Sequence, residues 1–351
     1  MTNQIEQFLQ SESFTHLLKD IYPLNELITL KKYKKINLGL TNIIYKITVT
    51  KSTNDTTLEE DFISKFYLGE NSEIRMKKEF VSLNFLSKKG FLVPKPLIKS
   101  KIDNISLLIM EFISDSVLNE VLKTEDKKES INLVIELINQ LLKLQNQSIL
   151  EIQEEFSKQG LDIEKNESES TYLKNMEFMI EKSGLEEFRL LLDWLLQNEP
   201  SISNQTNVFL HNDFHPFNSL ITKDNHIFVI DWEGISFGNP YIDIAWLIFV
   251  TAGIFGKVIE DQLLEFYNRK SQKDLSKKDL EYYMLLCLGF RLVIFSVILN
   301  DLEGVREKDN TYKYRILTNY GDIIHYFLKR IKEITGFHFS SFEMHIPNYQ
   351  N

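Results

Sequence analysis

The order of strand-like and helix-like segments before residue 113 constrains the fold most. Segments rich in β-branched and aromatic residues predict strands, and one segment with apolar residues at helical spacing predicts a helix that stops at Gly90. The strand-like character begins at Lys35 and continues in predicted strands at 43–49 and 62–68, which a polar stretch at 51–60 connects. A predicted helix at 73–88 follows, and then predicted strands at Leu97 and at 105–112. A sheet with one inserted helix is therefore expected here.

Helical patterns dominate the rest of the chain. The predicted helical segments are residues 4–20, 128–144, 172–196 and most of 241–335. Residues 153–170 are charged and aperiodic, which predicts a surface segment, and residues 208–210 and 227–230 predict a small hairpin. The fold class is therefore α+β: residues 1–112 form a small antiparallel-sheet lobe with an N-terminal helical extension, and residues 113–351 form a larger, mainly helical lobe.

Composition excludes several classes of protein. A content of 43% hydrophobic and 12% aromatic residues excludes a wholly disordered chain. The net charge of -10 argues against a general nucleic-acid binder and mildly favours cationic small molecules. The start lacks a signal-peptide pattern, and Arg291 interrupts the apolar stretch 282–299, which indicates a buried helix rather than a membrane span. We expect a cytoplasmic protein with no membrane or nucleic-acid partner; the oligomeric state is not predicted.

Polar side chains cluster at the ends of the two short strands near residues 210 and 230. Residues 211–218 read His-Asn-Asp-Phe-His-Pro-Phe-Asn, and residues 229–233 read Val-Ile-Asp-Trp-Glu. Phosphoryl transfer needs oxygen ligands for Mg²⁺, which Asn218 and Asp231 would supply, and a carboxylate that accepts a hydroxyl proton, which suits Asp213. The spacing matches the kinase pattern of Asp, four residues, Asn, and a metal-binding Asp after the next strand.

With these motifs the sequence resembles the aminoglycoside phosphotransferase and choline kinase-like superfamily of small-molecule kinases. The likeness runs from Leu210 to Ala245 and includes Gly-Asn-Pro-Tyr-Ile-Asp-Ile-Ala at 238–245. It implies a bilobal protein kinase-like fold that transfers the γ-phosphate of ATP or GTP to a hydroxyl. It also implies that Asp213 is the catalytic base and that Asn218 and Asp231 bind Mg²⁺, while Asp243 ties the loop or caps a helix.

A kinase of this kind needs a strand lysine on the nucleotide phosphates, steadied by a helix glutamate. Lys65 stands on the strand immediately before the predicted helix and is favoured over Lys46, on the preceding strand. Glu79 matches the helix pattern of the family and is favoured over Glu73, whose place in the first turn suits the helix dipole.

Two further segments are expected to contact the nucleotide. Residues 38–42 resemble the nucleotide-covering loop of the family, which makes Gly39, Thr41 and Asn42 candidates, although only one glycine of the usual pattern is present. Residues 110–113 end a strand where a kinase hinge would lie. There Met110 would line the purine pocket, and the backbone of Glu111 and Ile113 would meet the purine edge.

Departures from the family pattern carry their own expectations. Asn212 stands where many relatives have Gly, and Asn also tolerates a positive φ, so the turn can be kept. Asn239 replaces a frequent Asp. His211 is expected to support the loop; His215 either packs in the loop or meets phosphate or substrate, and Glu233 either approaches a second metal or has no chemical role. Only about ten residues separate Asp231 from Asp243, which leaves no room for the activation loop of a protein kinase.

The sequence thus predicts a Mg²⁺-dependent small-molecule kinase. A cationic acceptor such as an aminoglycoside or choline is one candidate, and sugars or amino acids are others. Acidic segments at 151–155 and 164–169 would attract a cation or are simply solvated. A choline site would need an aromatic cage, for which the candidates are Trp232, Trp246, Tyr241 and Phe249. The alternative is a nucleotide-binding pseudokinase with a regulatory or scaffold role, which normally loses one of these motif residues.

Overall fold

In a computed structural model of the chain, residues 2–22, 27–36, 42–52, 57–69, 71–102, 105–161, 168–200, 207–300 and 310–342 are described. The contacts between Cα atoms divide the chain into two compact units. The first contains Met1–Ser116, Leu150–Asp162 and Leu220–Gly234, and the second contains Val117–Ile149, Ile163–Ser219 and Ile235–Asn351. The division of the chain at residue 112 into two functional lobes remains a prediction.

The first unit is built on a five-stranded antiparallel sheet in the order β1-β2-β3-β5-β4. Its strands are β1 (Leu27–Ile36), β2 (Ile43–Ser52), β3 (Thr57–Tyr67), β4 (Pro96–Ile102) and β5 (Ile105–Glu111). Strand β1 begins earlier than expected, and β2 and β3 stay paired through Ser52 and Thr57, so most of the polar stretch 51–60 is strand rather than connection. Long antiparallel partners satisfy each other's backbone groups, which outweighs the polarity of these side chains.

Helices complete the first unit. They are α1 (Thr2–Leu9), α2 (Glu12–Lys19), α3 (Ser72–Lys88) and, largely, α6 (Ile149–Ser157). The N-terminal extension is two helices, because the Ser11 side chain accepts from the Phe14 amide and starts α2 afresh. Helix α3 ends as predicted, with Gly90 at a φ of 76°. The surface segment predicted at 153–170 is wrong in part, because Phe156 of α6 and Leu161 are buried.

The second unit is mainly helical. Its helices are α4 (Leu118–Thr124), α5 (Lys127–Gln145), α7 (Ser168–Ser183), α8 (Arg189–Gln197), α9 (Tyr241–Phe255), α10 (Val258–Ser271), α11 (Lys277–Asn300) and α12 (Asn310–Thr335). Helix α11 packs against α7, α9 and α12. Among the described residues, Lys277–Leu299 is the one helix long and apolar enough to cross a membrane, but 72% of its apolar window is buried inside the protein, as in the core helix of a globular domain.

The short strands do not form the expected hairpin. Strand β6 (Val208–Leu210) pairs with β9 (Ser236–Gly238), and β7 (Ser219–Ile221) pairs with β8 (Ile227–Val229). Strands β7 and β9 are not recognisable in the sequence, because three residues are too few to show a period of two. The consequence is that Asp231 follows β8 in the first unit, whereas Asp213 follows β6 in the second.

Candidate active site

Buried Lys65 lies among three carboxylates of the first unit, of which Glu79 is also buried. Its Nζ atom donates to Glu79 Oε2 and to Asp231 Oδ1, each at 2.6 Å, and Glu233 Oε2 lies 3.6 Å away. Burial lowers the pKa of Lys65, but the three carboxylates outweigh burial and raise this pKa above its ordinary value. Lys65 is therefore a permanent ammonium ion. We call Lys65, Glu79, Asp231 and Glu233 the lysine–carboxylate cluster.

Secondary structure fixes the position of each member. Lys65 is on β3, a central strand, opposite Ile44 of β2 and Leu108 of β5. Glu79 faces it from α3, where it is 1% exposed, and it also accepts from the Tyr67 hydroxyl at 2.6 Å. These donors offset only part of the cost of burial, which still raises the pKa of Glu79 to about 7.

Asp231 and Glu233 follow β8 on a tight turn. Asp231 has a φ of 70°, in the left-handed region that Asp tolerates better than most residues. Glu233 accepts from Asn42 Nδ2 at 2.9 Å and from Arg75 Nη1 at 3.2 Å. Glu233 thus has an electrostatic role in the cluster. Arg75, in the first turn of α3, was not singled out by the sequence analysis, because a charged residue there is ordinarily solvated.

The cluster suits a hard divalent cation. Oxygen atoms of Glu79, Asp231 and Glu233 lie within 4.8 Å of one another. Carboxylate oxygens are the ligands that Mg²⁺ prefers. The side chain of Glu79 is 2% exposed, whereas those of Asp231 and Glu233 are 37% and 15% exposed, so Asp231 and Glu233 are the members more accessible to an ion.

The rival residues form other pairs. Lys46 lies 3.2 Å from Asp61 and 3.1 Å from Asp115. Glu73 pairs with Lys77 and Lys101, each at 2.7 Å, and these partners lower its pKa to about 2. None of these partners of Lys46 and Glu73 belongs to the lysine–carboxylate cluster.

The other nucleotide candidates are placed only in part. Gly39 and Thr41 lie outside the described residues, whereas Asn42 contacts Glu233. Met110 is buried at the end of β5, and Glu111 is exposed. The Glu111 amide donates to the Lys95 carbonyl oxygen at 2.9 Å, so this amide is already hydrogen-bonded within the protein.

In the second unit, Asp213 receives hydrogen bonds from several elements. Asn218 Nδ2 donates to its Oδ2 at 2.7 Å. Trp246 Nε1 and Arg291 Nη2 each donate to its Oδ1 at 3.0 Å, and His215 Nε2 lies 3.2 Å from the same oxygen. Burial raises the pKa of Asp213, but His215 and Arg291 outweigh it and hold this pKa well below its usual range. Asp213 is therefore ionised at neutral pH, with 41% of its side chain exposed.

The loop that carries Asp213 is tied to helix α9. Asp243 Oδ2 accepts from the His211 amide and Asp243 Oδ1 accepts from the Asn212 amide, each at 2.8 Å. His211 Nδ1 in turn accepts from the Asp213 amide at 3.2 Å. These contacts confirm the predicted loop-tying role of Asp243 and the loop-supporting role of His211. Burial raises the pKa of Asp243 to about 7, against the effect of the two amide donors.

The turn at Asn212 has the predicted conformation. Its φ is 66°, which explains why Asn can replace Gly here. The side chain adds a hydrogen bond from Nδ2 to Ser236 Oγ at 2.8 Å. His215 is 7% exposed and its Nδ1 accepts from the Phe217 amide at 3.2 Å, so it packs within the loop as well as contacting Asp213.

Arg291 and Tyr172 are functional candidates that the sequence analysis did not assign. Arg291 Nη2 donates to the Asn212 carbonyl oxygen at 2.7 Å, and the Tyr172 hydroxyl donates to the same oxygen at 3.2 Å. The signal for Arg291 was present as a charged residue inside an apolar helix. Its partner was not predictable, because 78 residues separate it from Asp213.

The four aromatic residues considered for a choline cage are buried and do not form an exposed binding site. Trp232, Tyr241, Trp246 and Phe249 are all at most 5% exposed. The Arg291 guanidinium carbon lies 4.2 Å from the centre of the Trp246 ring. In the acidic segments, Glu151 pairs with Lys89 and Glu155 with Lys158, while most of 164–169 lies outside the described residues.

The sequence matches the model of a phosphotransferase enzyme family, APH, over residues 32–274. The chain belongs to this family and is a small-molecule kinase.

Solved structures confirm the fold. The structure of a candidate aminoglycoside phosphotransferase from Ralstonia eutropha superposes with a TM-score of 0.62 at 15% identity, covering 94% of this chain and 98% of that one. ADP-bound APH(2'')-Ib gives 0.52 at 18% identity, with coverages of 93% and 99%. The streptomycin–ATP complex of APH(2'')-IIa gives 0.55 at 17% identity, with coverages of 84% and 96%. No curated protein sequence is significantly similar to the chain.

Proposed function

We propose that the protein transfers the γ-phosphoryl group of ATP or GTP, as its Mg²⁺ complex, to a hydroxyl group of a small molecule. The observation that carries this proposal is the contact of one buried lysine with both a helix glutamate and a post-strand aspartate, at 2.6 Å each. A phosphoryl-transfer site needs this combination, because the lysine holds phosphate oxygens while the aspartate holds the metal.

Lys65 is the phosphate-binding cation in this proposal. A buried ammonium ion that always carries its proton can bind the α- and β-phosphates without titrating. Glu79, fixed by Tyr67, keeps the lysine side chain extended toward the phosphates. Two of the structural neighbours contain bound ADP or ATP, which supports a nucleotide donor for this chain.

Asp231 and Asn218 are proposed to hold Mg²⁺, with Glu233 available as a further ligand. The metal ion would neutralise charge on the transferred phosphoryl group. Asn218 turns its Nδ2 to Asp213, so its Oδ1 is the atom that would bind. Asp231 keeps a second carboxylate oxygen beyond the one that contacts Lys65.

Asp213 is proposed to orient the acceptor hydroxyl and take its proton. Its exposed fraction gives an acceptor access, and its low pKa keeps the carboxylate ionised. The Trp246 and Asn218 hydrogen bonds fix the carboxylate plane, so that orientation costs little entropy during the reaction.

The remaining proposals concern the purine contacts, the roles of the two lobes and the cellular location. Met110 and the backbone of Glu111 and Ile113 are proposed to contact the purine. Gly39, Thr41 and Asn42 are proposed to cover the nucleotide. We propose that residues 1–112 bind the nucleotide, that residues 113–351 carry the catalytic loop and acceptor site, and that the protein acts in the cytoplasm. The aminoglycosides bound to some structural neighbours make them one acceptor class to test.

A single assay tests the proposal. Purified protein with Mg²⁺ and either ATP or GTP is incubated with pooled aminoglycosides, hydroxylated amines, sugars and amino acids, and mass spectrometry searches for the mass of one added phosphate. We expect a product that is absent with Asp213→Asn. Nucleotide binding without any product from a broad pool would favour the pseudokinase, and failure to bind nucleotide would refute the assignment of the cluster.

A further inference from the structure

Arg291 occupies the aromatic surface beside Asp213. Its guanidinium carbon lies 4.2 Å from the Trp246 ring centre and 5.8 Å from that of Tyr172. These are cation–π distances. A cationic group therefore already lies against the aromatic rings next to Asp213.

Helix packing keeps the guanidinium there. Helix α11 approaches α7 so closely at Gly289 that a Cβ atom would lie 2.7 Å from Met176 Sδ. Met176 is one helical turn after Tyr172, so the same close contact brings Tyr172 toward Arg291. Arg291 also donates to the carbonyl oxygens of Cys287 and Asn212, and its side chain is only 18% exposed. It is therefore not a surface side chain that can move aside cheaply.

Charge balance beside Asp213 leads to the same conclusion. The single charge on Asp213 is matched by Arg291 at 3.0 Å. The nearby carboxylate of Asp243 directs both oxygens to backbone amides and is fully buried. A second cation beside Asp213 would therefore meet the like charge of Arg291, whereas a neutral or acidic group would not.

We propose that Arg291 is a specificity-determining residue that excludes a cationic group from the position beside Asp213, so that the acceptor presents its reacting hydroxyl next to an uncharged or acidic group. The chemical class is a neutral polyol or a hydroxy acid rather than a quaternary-ammonium alcohol. The inference rests on the proposed function, since it assumes that the acceptor hydroxyl approaches Asp213.

Two probes of equal shape test the charge alone. Choline and 3,3-dimethylbutan-1-ol differ only in that a quaternary nitrogen replaces a quaternary carbon. Their affinities for the full chain with Mg²⁺ and a non-hydrolysable ATP analogue are measured by calorimetry, and their phosphorylation is followed by mass spectrometry. We expect the wild-type protein to prefer the neutral alcohol by about tenfold, the range of one cation–aromatic or like-charge contact.

Variants at Arg291 complete the test. Arg291→Gln should shift the preference toward choline by about tenfold, and Arg291→Lys, which keeps the charge, should shift it less. If the wild-type protein binds neither probe, choline binding must still emerge in Arg291→Gln. Equal or tighter wild-type binding of choline, or a preference that Arg291→Gln leaves unchanged, would overturn the inference. These binding results do not require turnover, so they are separate from a failure of phosphate transfer, which would refute the proposed function instead.

Discussion

Lys65 and Asp231 are joined by a 2.6 Å hydrogen bond although 166 residues separate them in the chain. In the proposed reaction each has a different partner: the lysine binds nucleotide phosphates and the aspartate binds the metal. The phosphate-binding ammonium group and the metal-binding carboxylate are therefore paired with each other when no nucleotide is bound. When a metal–nucleotide complex binds, the Lys65–Asp231 ion pair would be replaced by a lysine–phosphate pair and an aspartate–metal pair. Both charges would therefore stay compensated.

The first prediction distinguishes the two strand lysines. Lys65→Ala should raise the KM for nucleotide by about tenfold to a hundredfold, the value of one or two charge-assisted contacts to phosphate. Lys46→Ala should change it by less than about twofold, because Lys46 pairs with Asp61 and Asp115 near the surface. Steady-state kinetics with varied nucleotide gives both values. A larger effect at Lys46 than at Lys65 would reverse the assignment.

The second prediction concerns the helix glutamates, which form another matched pair. Glu79→Gln keeps the shape but removes the charge beside Lys65, so turnover should fall by about tenfold or more, since the buried ammonium ion loses a compensating carboxylate. Glu73→Gln removes an exposed pairing and should be nearly neutral. Single-turnover assays at saturating nucleotide compare the two. Equal activities would show that Glu79 does not support Lys65 in the reaction.

The third prediction separates metal binding from phosphate binding. Asp231→Ala should weaken the affinity for Mg²⁺–nucleotide while leaving the affinity for metal-free nucleotide unchanged or improved, because Lys65 is released from Asp231. Isothermal titration with and without Mg²⁺ measures this difference. Asp224→Ala, at an exposed turn of the same unit, is the control and should show the wild-type Mg²⁺ dependence. Unaltered Mg²⁺ enhancement in Asp231→Ala would contradict the metal assignment.

The fourth prediction addresses the base. Asp213→Asn should lower turnover by about 10²–10⁴-fold, the usual effect of removing a positioned base, with nucleotide affinity retained. Because the pKa of Asp213 is held below its usual range, wild-type activity should not fall until the pH drops below that range. Arg291→Gln removes one cause of this shift, so the acid limb of its pH–rate profile should move to higher pH. A limb that stays in place would show that Arg291 does not control the ionisation of Asp213.

Much of the fold and site was predictable from local sequence. The order of β2, β3, α3, β4 and β5 depends on residue types and on Gly90, which act within a few residues. The positive φ at Asn212 was likewise predictable, because few residue types tolerate that conformation.

The failures that bear on the site involve contacts between distant residues. Pairing of β6 with β9 rather than β8 depends on partners that three-residue strands do not specify. Arg291 was recognised as an unusual charge within an apolar helix, yet its role depends on Asp213, Trp246 and Tyr172, which are brought to it only by the packed fold. A buried charge in a sequence indicates that a partner exists, but not which one.

The loop tie at Asp243 leads to a prediction about stability. Asp243→Ala would leave the buried amides of His211 and Asn212 without acceptors, so the free energy of unfolding should fall by about 2–4 kcal/mol, the cost of two unsatisfied donors. Urea denaturation measures the change. Asp193→Ala, at an exposed position on α8, is the control and should stay within about 0.5 kcal/mol of wild type.

The contribution of Asp243 to the free energy of unfolding should depend on pH in a definite direction. The pKa of Asp243 is raised from 3.8 to about 7 in the folded protein, chiefly by burial. A group with a raised folded pKa contributes its full stability below its unfolded pKa and loses it as the pH rises toward the folded value. Asp243→Asn cannot ionise, so its stability deficit relative to wild type should be largest near pH 4 and should narrow as the pH rises to about 8. Urea titrations of both proteins across this range test the expectation, and a deficit that widens with pH would mean that the folded state favours the ionised carboxylate.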